Sequence, residues 1–388
     1  VLAALLLTSL AAAGTGAEAP AEPDGWRFAA IPMVSYGSDV GLTLGAGLFL
    51  YRPIAEHPGE HQEASISLSY ATRGPRSVDV GWGFRRLFGT RLRTRWNVHL
   101  ADDALMPYWG EGAQLGGLPT PAGFGSPPPP FRYHDRRFFA AAILQGPIAG
   151  PFGWHLRARW LNVGVDEPSA LLVTSQPPGV RGGRVALGEL GLFYDTRDRE
   201  VGTRSGWFVT AAAFAAPQLD GVSDFSFHGY DAAVRVYVPL VLGMTLAGRA
   251  LYDRKIAGLP GRRADAAAVP FFERMLYEGI SYNEGLGGAA TIRGIARYRV
   301  AGEEKMLANV QLRMSLLTTR LFSKTQEWGL SLGVDAGRAT QPGFPAIEAA
   351  GATAGLRLVW DRAILFRVEV GRARGGENTL YVAFGEQF

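Results

Sequence analysis

Residues 91–100 read Arg91-Leu92-Arg93-Thr94-Arg95-Trp96-Asn97-Val98-His99-Leu100. In an extended chain Arg91, Arg93, Arg95, Asn97 and His99 point one way, and Leu92, Thr94, Trp96, Val98 and Leu100 the other. The pattern repeats. Val78, Val80, Trp82 and Phe84 oppose Asp79; Asn309, Gln311, Arg313 and Ser315 alternate with Ala308, Val310, Leu312, Met314 and Leu316; Ile364, Phe366, Val368 and Val370 oppose Arg367 and Glu369. Each is a strand with one apolar and one wet face. Sixteen such segments are expected: 27–36, 40–51, 62–73, 76–88, 90–101, 131–146, 151–164, 185–198, 205–216, 225–239, 243–256, 304–317, 327–338, 350–361, 363–372 and 378–388.

Alternation alone fits a soluble sandwich as well as a membrane barrel. Length separates them. Most segments reach ten residues, which suits a tilted membrane strand, whereas soluble strands are usually ~5–6. In lipid every backbone group must be paired, and strands achieve that only in a closed barrel. Short links at 88–90, 146–151, 239–243 and 361–363 contrast with long ones at 102–130, 164–184 and 257–303. With the N-terminus in the periplasm, all the long links fall on the outer side. The expected fold is an all-β transmembrane antiparallel barrel over residues 26–388, with a long outer loop folded inward.

The first residues, VLAALLLTSLAAA, are too short an apolar run to span a bilayer. Small residues follow, and the stretch reads as a secretory signal over residues 1–19, cleaved after Ala17 or Ala19. Few residues separate that site from the first strand, so no soluble N-terminal domain is expected.

Composition excludes other classes. Charged residues make 19% and aromatics 11%, which is not the balance of a disordered chain. The absence of Cys removes disulfide scaffolds and thiolate metal sites. Net charge is only +4, and no recognition motif for nucleic acid is present. No catalytic elbow, phosphate loop or dinucleotide fingerprint occurs. His57-Pro58-Gly59-Glu60-His61 has a metal-like spacing, but Pro and Gly make it a turn. His99 and His155 belong to inner faces, which does not fit an outer-wall lipase. No enzyme, cofactor or metal is expected.

Three features together carry a resemblance. The long 257–303 link contains Ile292-Arg293-Gly294; segment 327–338 contains Gly333-Val334-Asp335-Ala336-Gly337; the chain ends in Phe388 on an alternating segment. Tyr194-Asp195-Thr196-Arg197-Asp198 followed by Ser205-Gly206-Trp207 adds a strand–turn–strand. This resembles the barrel of the BamA/TamA and two-partner-secretion superfamily, the bacterial surface antigen barrels. Ile295 stands where that family's loop motif has an aromatic residue, and Glu386 where outer-membrane termini usually carry an aromatic or aliphatic one. The family's periplasmic POTRA domains are not expected here.

The resemblance implies that Arg293 tips a loop folded into the lumen and pairs with Asp335 on the wall, with Ile292, Gly294, Gly333 and Gly337 as the motif frame. Arg matches a carboxylate bidentately. Removing one partner of such a pair, if well buried, costs about 3–5 kcal/mol. The resemblance also implies a weak seam between first and last strands. Pro32 removes a ladder donor there, and Gly385 weakens the strand that ends in Phe388. Inward Arg91, Arg93, Arg95, Arg157, Arg159, Arg235, Arg249 and Arg313, partly offset by Asp79, Glu189, Asp231 and Glu369, read first as a bracing network and second as an attraction for anionic solutes.

The function the resemblance implies is insertion or translocation of protein, or lipid, at the bacterial outer membrane. Its partners would be outer-membrane lipid, unfolded outer-membrane or secreted protein clients, and the barrel assembly machinery for its own insertion. A solute diffusion channel, or an anchoring barrel for a separate partner, are the rival readings.

Overall fold

The computed structural model describes residues 26–53, 61–111, 129–199, 202–261, 267–277, 285–321, 324–360, 364–374 and 378–384. The stretch read as a signal, His57 to Glu60, Gly385 and Phe388 lie outside the described residues.

Among the described residues there are sixteen strands: β1 Arg27–Gly37, β2 Gly41–Pro53, β3 His61–Ala71, β4 Arg76–Arg85, β5 Arg93–Pro107, β6 Arg132–Ala149, β7 Phe152–Val165, β8 Gly182–Asp195, β9 Gly206–Ala216, β10 Phe227–Pro239, β11 Met244–Ala257, β12 Glu304–Leu321, β13 Lys324–Thr340, β14 Ile347–Trp360, β15 Ile364–Ala373 and β16 Asn378–Phe384. Each pairs antiparallel with the next, and β1 pairs with β16, so the sheet is a closed barrel. Closure removes the two sheet edges that lipid could not satisfy.

Side-chain parity follows the sequence pattern. On β3, Ile66 and Leu68 face outward and are exposed, while Ser65, Ser67 and Ser69 face the lumen. On β12, Met306 and Val310 point out; Lys305, Asn309, Gln311 and Arg313 point in and are buried. The exposed apolar belt runs round the whole wall through Leu44, Leu100, Leu192, Val334, Leu356 and Val370. So large an apolar surface needs lipid rather than water against it. No described helix is long and apolar enough to cross a membrane.

The strands run further than the sequence pattern suggests. β5 continues to Pro107, because a bulge between Asp103 and Met106 shifts the parity and hides the continuation. β12 extends to Leu321 past an irregularity between Ser315 and Leu317. The long links are not structureless: the β7–β8 link holds α1, Ala170–Ser175, and the β11–β12 link holds α2, Phe271–Arg274. Ser169 caps α1 by accepting from Leu172 N at 3.1 Å.

Inside, the two halves differ. At the end with the long loops, Tyr108, Tyr133, Phe139, Leu161, Phe227, Phe271 and Phe272 pack into an apolar cluster. At the end with the short turns the interior is wetter, and Arg95 and Glu63 stand 4.0 Å apart with half-exposed side chains.

Adjacent residues on β3 test the parity. Ile66→Arg puts a charge against lipid in mid-strand and is expected to destabilise the barrel by about 2–4 kcal/mol. Ser67→Arg points into the lumen beside Asp79 and is expected to be near neutral. Denaturant unfolding in lipid vesicles, followed by tryptophan fluorescence, measures both; equal losses would contradict the assignment of faces.

Candidate functional site

The β11–β12 link starts at the loop end and turns back into the lumen. Its return is built by short-range bonds. Thr291 Oγ1 accepts from Gly287 N at 2.8 Å and sits within 3.0 Å of the Gly285 and Gly287 carbonyls. Gly294 has φ +101, and a Cβ there would meet the Ala373 nitrogen at 2.6 Å. Only glycine takes that conformation readily this close to another backbone. The two isoleucines that flank the turn, Ile292 and Ile295, bury against Leu286, Val300, Leu307, Ile347 and Ala349.

The wall under this segment is made of glycines. A Cβ on Gly333 would stand 2.7 Å from Arg293 Nη2, and one on Gly337 2.3 Å from Ile292. On β14, a Cβ on Gly351 would stand 2.2 Å from the Arg293 carbonyl oxygen; on β15, one on Gly371 would stand 2.8 Å from Gly294 N. Inward-facing glycines on three neighbouring strands form a trough into which the loop backbone drops.

Arg293 lies in that trough with no solvent exposure. Its Nε donates to Asp335 Oδ2 at 2.8 Å and its Nη2 to Asp335 Oδ1 at 2.9 Å, a two-pronged grip. The Arg293 backbone N–H donates to Asp335 Oδ2 at 3.1 Å, and Nη1 donates to Glu369 Oε1 at 2.7 Å. Three successive loop carbonyls also receive wall donors. Arg367 Nη2 donates to Ala289 O at 3.3 Å, Arg249 Nη2 to Ala290 O at 2.7 Å and Asn309 Nδ2 to Thr291 O at 2.8 Å. Asn309 Nδ2 also reaches Asp335 Oδ1 at 2.7 Å, and Arg249 Nε donates to Asn309 Oδ1 at 2.8 Å. Arg367 bonds Glu369 in turn. Two carboxylates and three guanidiniums therefore form one dry, closed network.

A second anchor has the opposite polarity. Glu273 of α2 is fully buried. Arg159 of β7 meets it at 2.9 Å and Lys255 of β11 at 3.1 Å, and Lys255 Nζ also donates to the Glu273 and Leu276 carbonyls at 2.8 and 3.1 Å. Arg274 bonds Glu111 and lies 3.3 Å from Glu303. Arg297 Nη2 donates to Asp103 Oδ2 of β5 at 2.7 Å. Arg297 also acts on Asp39 in the β1–β2 turn, whose carboxyl is pushed above its ordinary range by burial against the pull of that guanidinium. One loop is thus tied to β5, β7, β11, β13 and β15.

The residues singled out in the sequence divide as follows. Ile292, Arg293, Gly294, Gly333, Asp335 and Gly337 come together in the trough. Pro32 sits in β1 opposite Ala46 of β2, away from it. Between β1 and β16 the register among the described residues is Tyr36 to Val382 and Gly37 to Tyr381, with Ser38 N donating to Leu380 O at 3.1 Å; β1 and β2 pair along eleven positions from Arg27 to Gly37. The loop approaches that seam, since Tyr381 Oη lies 3.5 Å from the Ile295 carbonyl. His99 and His155 each bond a wall carboxylate, Asp79 and Glu189, at 2.7 and 3.1 Å.

Sequence reading placed Glu369, Asn309 and Arg249 on inner faces without assigning them to the motif. Gly351, Gly371 and Glu273 went unremarked. An excess of glycine at inward parity on β13 to β15 was the available signal for the trough.

No protein-family model and no curated protein matches the chain. Solved structures do. BamA from Haemophilus ducreyi lacking POTRA domains 1–3 is 15% identical, with a TM-score of 0.56 over 94% of this chain and 70% of that one. CdiB from Escherichia coli is 11% identical, with a TM-score of 0.60 over 90% of this chain and 62% of that one. CdiB from Acinetobacter baumannii is 13% identical, with a TM-score of 0.52 over 92% and 59%. The chain thus spans less than two thirds of either CdiB. The fold is that of the BamA and CdiB barrels.

Two variants test the trough. Arg293→Ala leaves Asp335 buried without its cation and takes from Glu369 one of its two, and is expected to destabilise the barrel by about 3–5 kcal/mol. Gly351→Ala changes no charge, yet should unseat the same segment through its clash with the Arg293 carbonyl. Limited trypsin digestion of the folded protein reads the result: both variants should become cleavable at Arg297 or Arg299, where the wild type resists. Resistance of both variants would contradict the seating.

Proposed function

We propose that this barrel resides in the bacterial outer membrane and assists the insertion or translocation of polypeptide there, without covalent chemistry. The observation that carries the reading is a lumen occupied by a loop pinned to the wall and reaching the β1–β16 seam. A diffusion channel needs a clear bore, and here Ile292, Arg293 and Ile295 fill the loop half of the lumen with no exposure. A barrel serving only as an anchor needs no loop held against its seam; here Tyr381 of β16 lies 3.5 Å from the Ile295 carbonyl. On this reading the wall parts at the β1–β16 seam. Pro32 of β1 cannot donate to a ladder.

The likeness to BamA and CdiB supports the same reading. Clients on this account are unfolded outer-membrane or secreted proteins, and the short-turn end of the barrel faces the periplasm.

The chain contains no Cys, so an engineered pair reports cleanly. Tyr36→Cys with Val382→Cys is expected to lock the seam under oxidation and to lower assembly of outer-membrane or secreted clients in cells, with recovery on reduction. Client levels that stay unchanged while the cross-link is complete would remove lateral opening from the mechanism.

A further inference from the structure

Turns that meet water are built from polar residues and glycine. Two hairpins at the short-turn end break that rule in the same way. Residues 87–90 read Leu87-Phe88-Gly89-Thr90, and residues 241–244 read Val241-Leu242-Gly243-Met244. Thr90 N donates to Leu87 O at 3.1 Å, and Met244 N donates to the Val241 carbonyl. Phe88 stands at φ 53, ψ 34 and Leu242 at φ 58, ψ 31, each followed by a glycine at φ 72. This is the two-residue turn that favours Asn-Gly or Asp-Gly. A bulky side chain in the left-handed region is strained. Packing within the chain does not offset the strain, since Phe88 is 90% and Leu242 87% exposed, and Val241 is exposed beside Leu242. Strain held in this way is a sign of use.

Three observations say what covers the tips. The first is continuity with the lipid-facing wall. Phe84 of β4, Val238 of β10 and Leu246 of β11 belong to the exposed apolar belt, and each stands four positions from a tip.

The second is height. Arg76 of β4 and Arg254 of β11 are exposed at the loop-end edge of the belt, and each is twelve positions from the tip of its hairpin. At ~3.4 Å per residue and a tilt of ~40°, twelve positions rise about 30 Å, against an apolar band ~25 Å tall. With those guanidiniums among the headgroups of one leaflet, the tips reach the headgroup–acyl boundary of the other. Arg86 and Arg91 flank Phe88, and arginines at that depth keep their heads among the headgroups.

The third is distribution. The β4–β5 and β10–β11 hairpins stand on different sectors of the ring. A single partner touching both would have to span the mouth of the barrel, whereas lipid surrounds the wall. Between them the β8–β9 turn carries Arg197, Asp198 and Arg199, and Arg204 reaches Glu327 of β13 at 2.7 Å. Apolar tips are therefore a property of particular hairpins and not of the whole end.

We propose that these two hairpins are lipid anchors. Phe88, and Val241 with Leu242, insert at the headgroup–acyl boundary of the phospholipid leaflet at the short-turn end and fix the height of the barrel in the membrane. The anchoring does not depend on the transport role proposed above.

The chain has no Cys, so single labels can test this. Phe88→Cys, Leu242→Cys and, as a water-facing reference in the exposed β9–β10 loop, Asp220→Cys are each labelled with the fluorophore NBD in the full chain, folded into phosphatidylcholine vesicles. Labels at 88 and 242 should emit to the blue of the label at 220. Nitroxides on the upper acyl chain should quench them, and aqueous iodide should quench them weakly. Iodide quenching equal to that at position 220 would place the tips in water and overturn the proposal. Shielding from both quenchers would put a second copy of the chain over the tips and overturn it too. The sign of a stability change gives a second readout. Leu242→Asp creates Asp-Gly, which suits the turn, so a tip in water would keep or raise the urea midpoint of unfolding from vesicles. A tip in lipid loses apolar contact and gains a charge there, and the midpoint should fall. A midpoint that holds or rises would overturn the proposal.

Discussion

A guanidinium with no solvent around it sets the terms for the loop half of this barrel. Arg293 cannot be buried alone, because the desolvation of a charge is large. Asp335, 2% exposed, is equally costly without a cation, and Glu369, 1% exposed, is shared between Arg293 and Arg367. Each side therefore requires the other, and the contact holds only if the loop backbone comes down onto the wall. Side chains would prevent that approach, so the wall carries Gly333, Gly337, Gly351 and Gly371 where the loop descends. Charge fixes where the loop goes, and missing Cβ atoms let it get there.

The outside of the barrel obeys a different constraint. Lipid accepts apolar side chains and no unpaired backbone, so the wall is a closed ladder with Leu, Val and aromatic residues outward. Closure is complete in topology, and the loop comes close to the β1–β16 seam at Tyr381 and Asp39. The interior is packed under the loops and wetter under the turns.

The fold was largely legible in the sequence because lipid imposes period two on every strand. Arg91 to Leu100 shows it without help from any neighbour. Boundaries were less legible where the parity slips, as at the Asp103–Met106 bulge, since an added residue breaks the pattern while the strand goes on. Half of the site was readable: Arg293 and Asp335 sit in short motifs. Glu369 was visible only as an inward acid, because no local pattern says which of several inward acids a returning loop will meet. Glu273 and Arg159 are 114 positions apart and joined through a fold-back that periodicity does not encode.

Ionic current through the purified protein in planar bilayers tests the central claim most directly. The wild type should stay closed, and Arg293→Ala should open it to sustained current as the loop leaves the trough. Large steady conductance in the wild type, unchanged when Arg293 is replaced, would contradict the account.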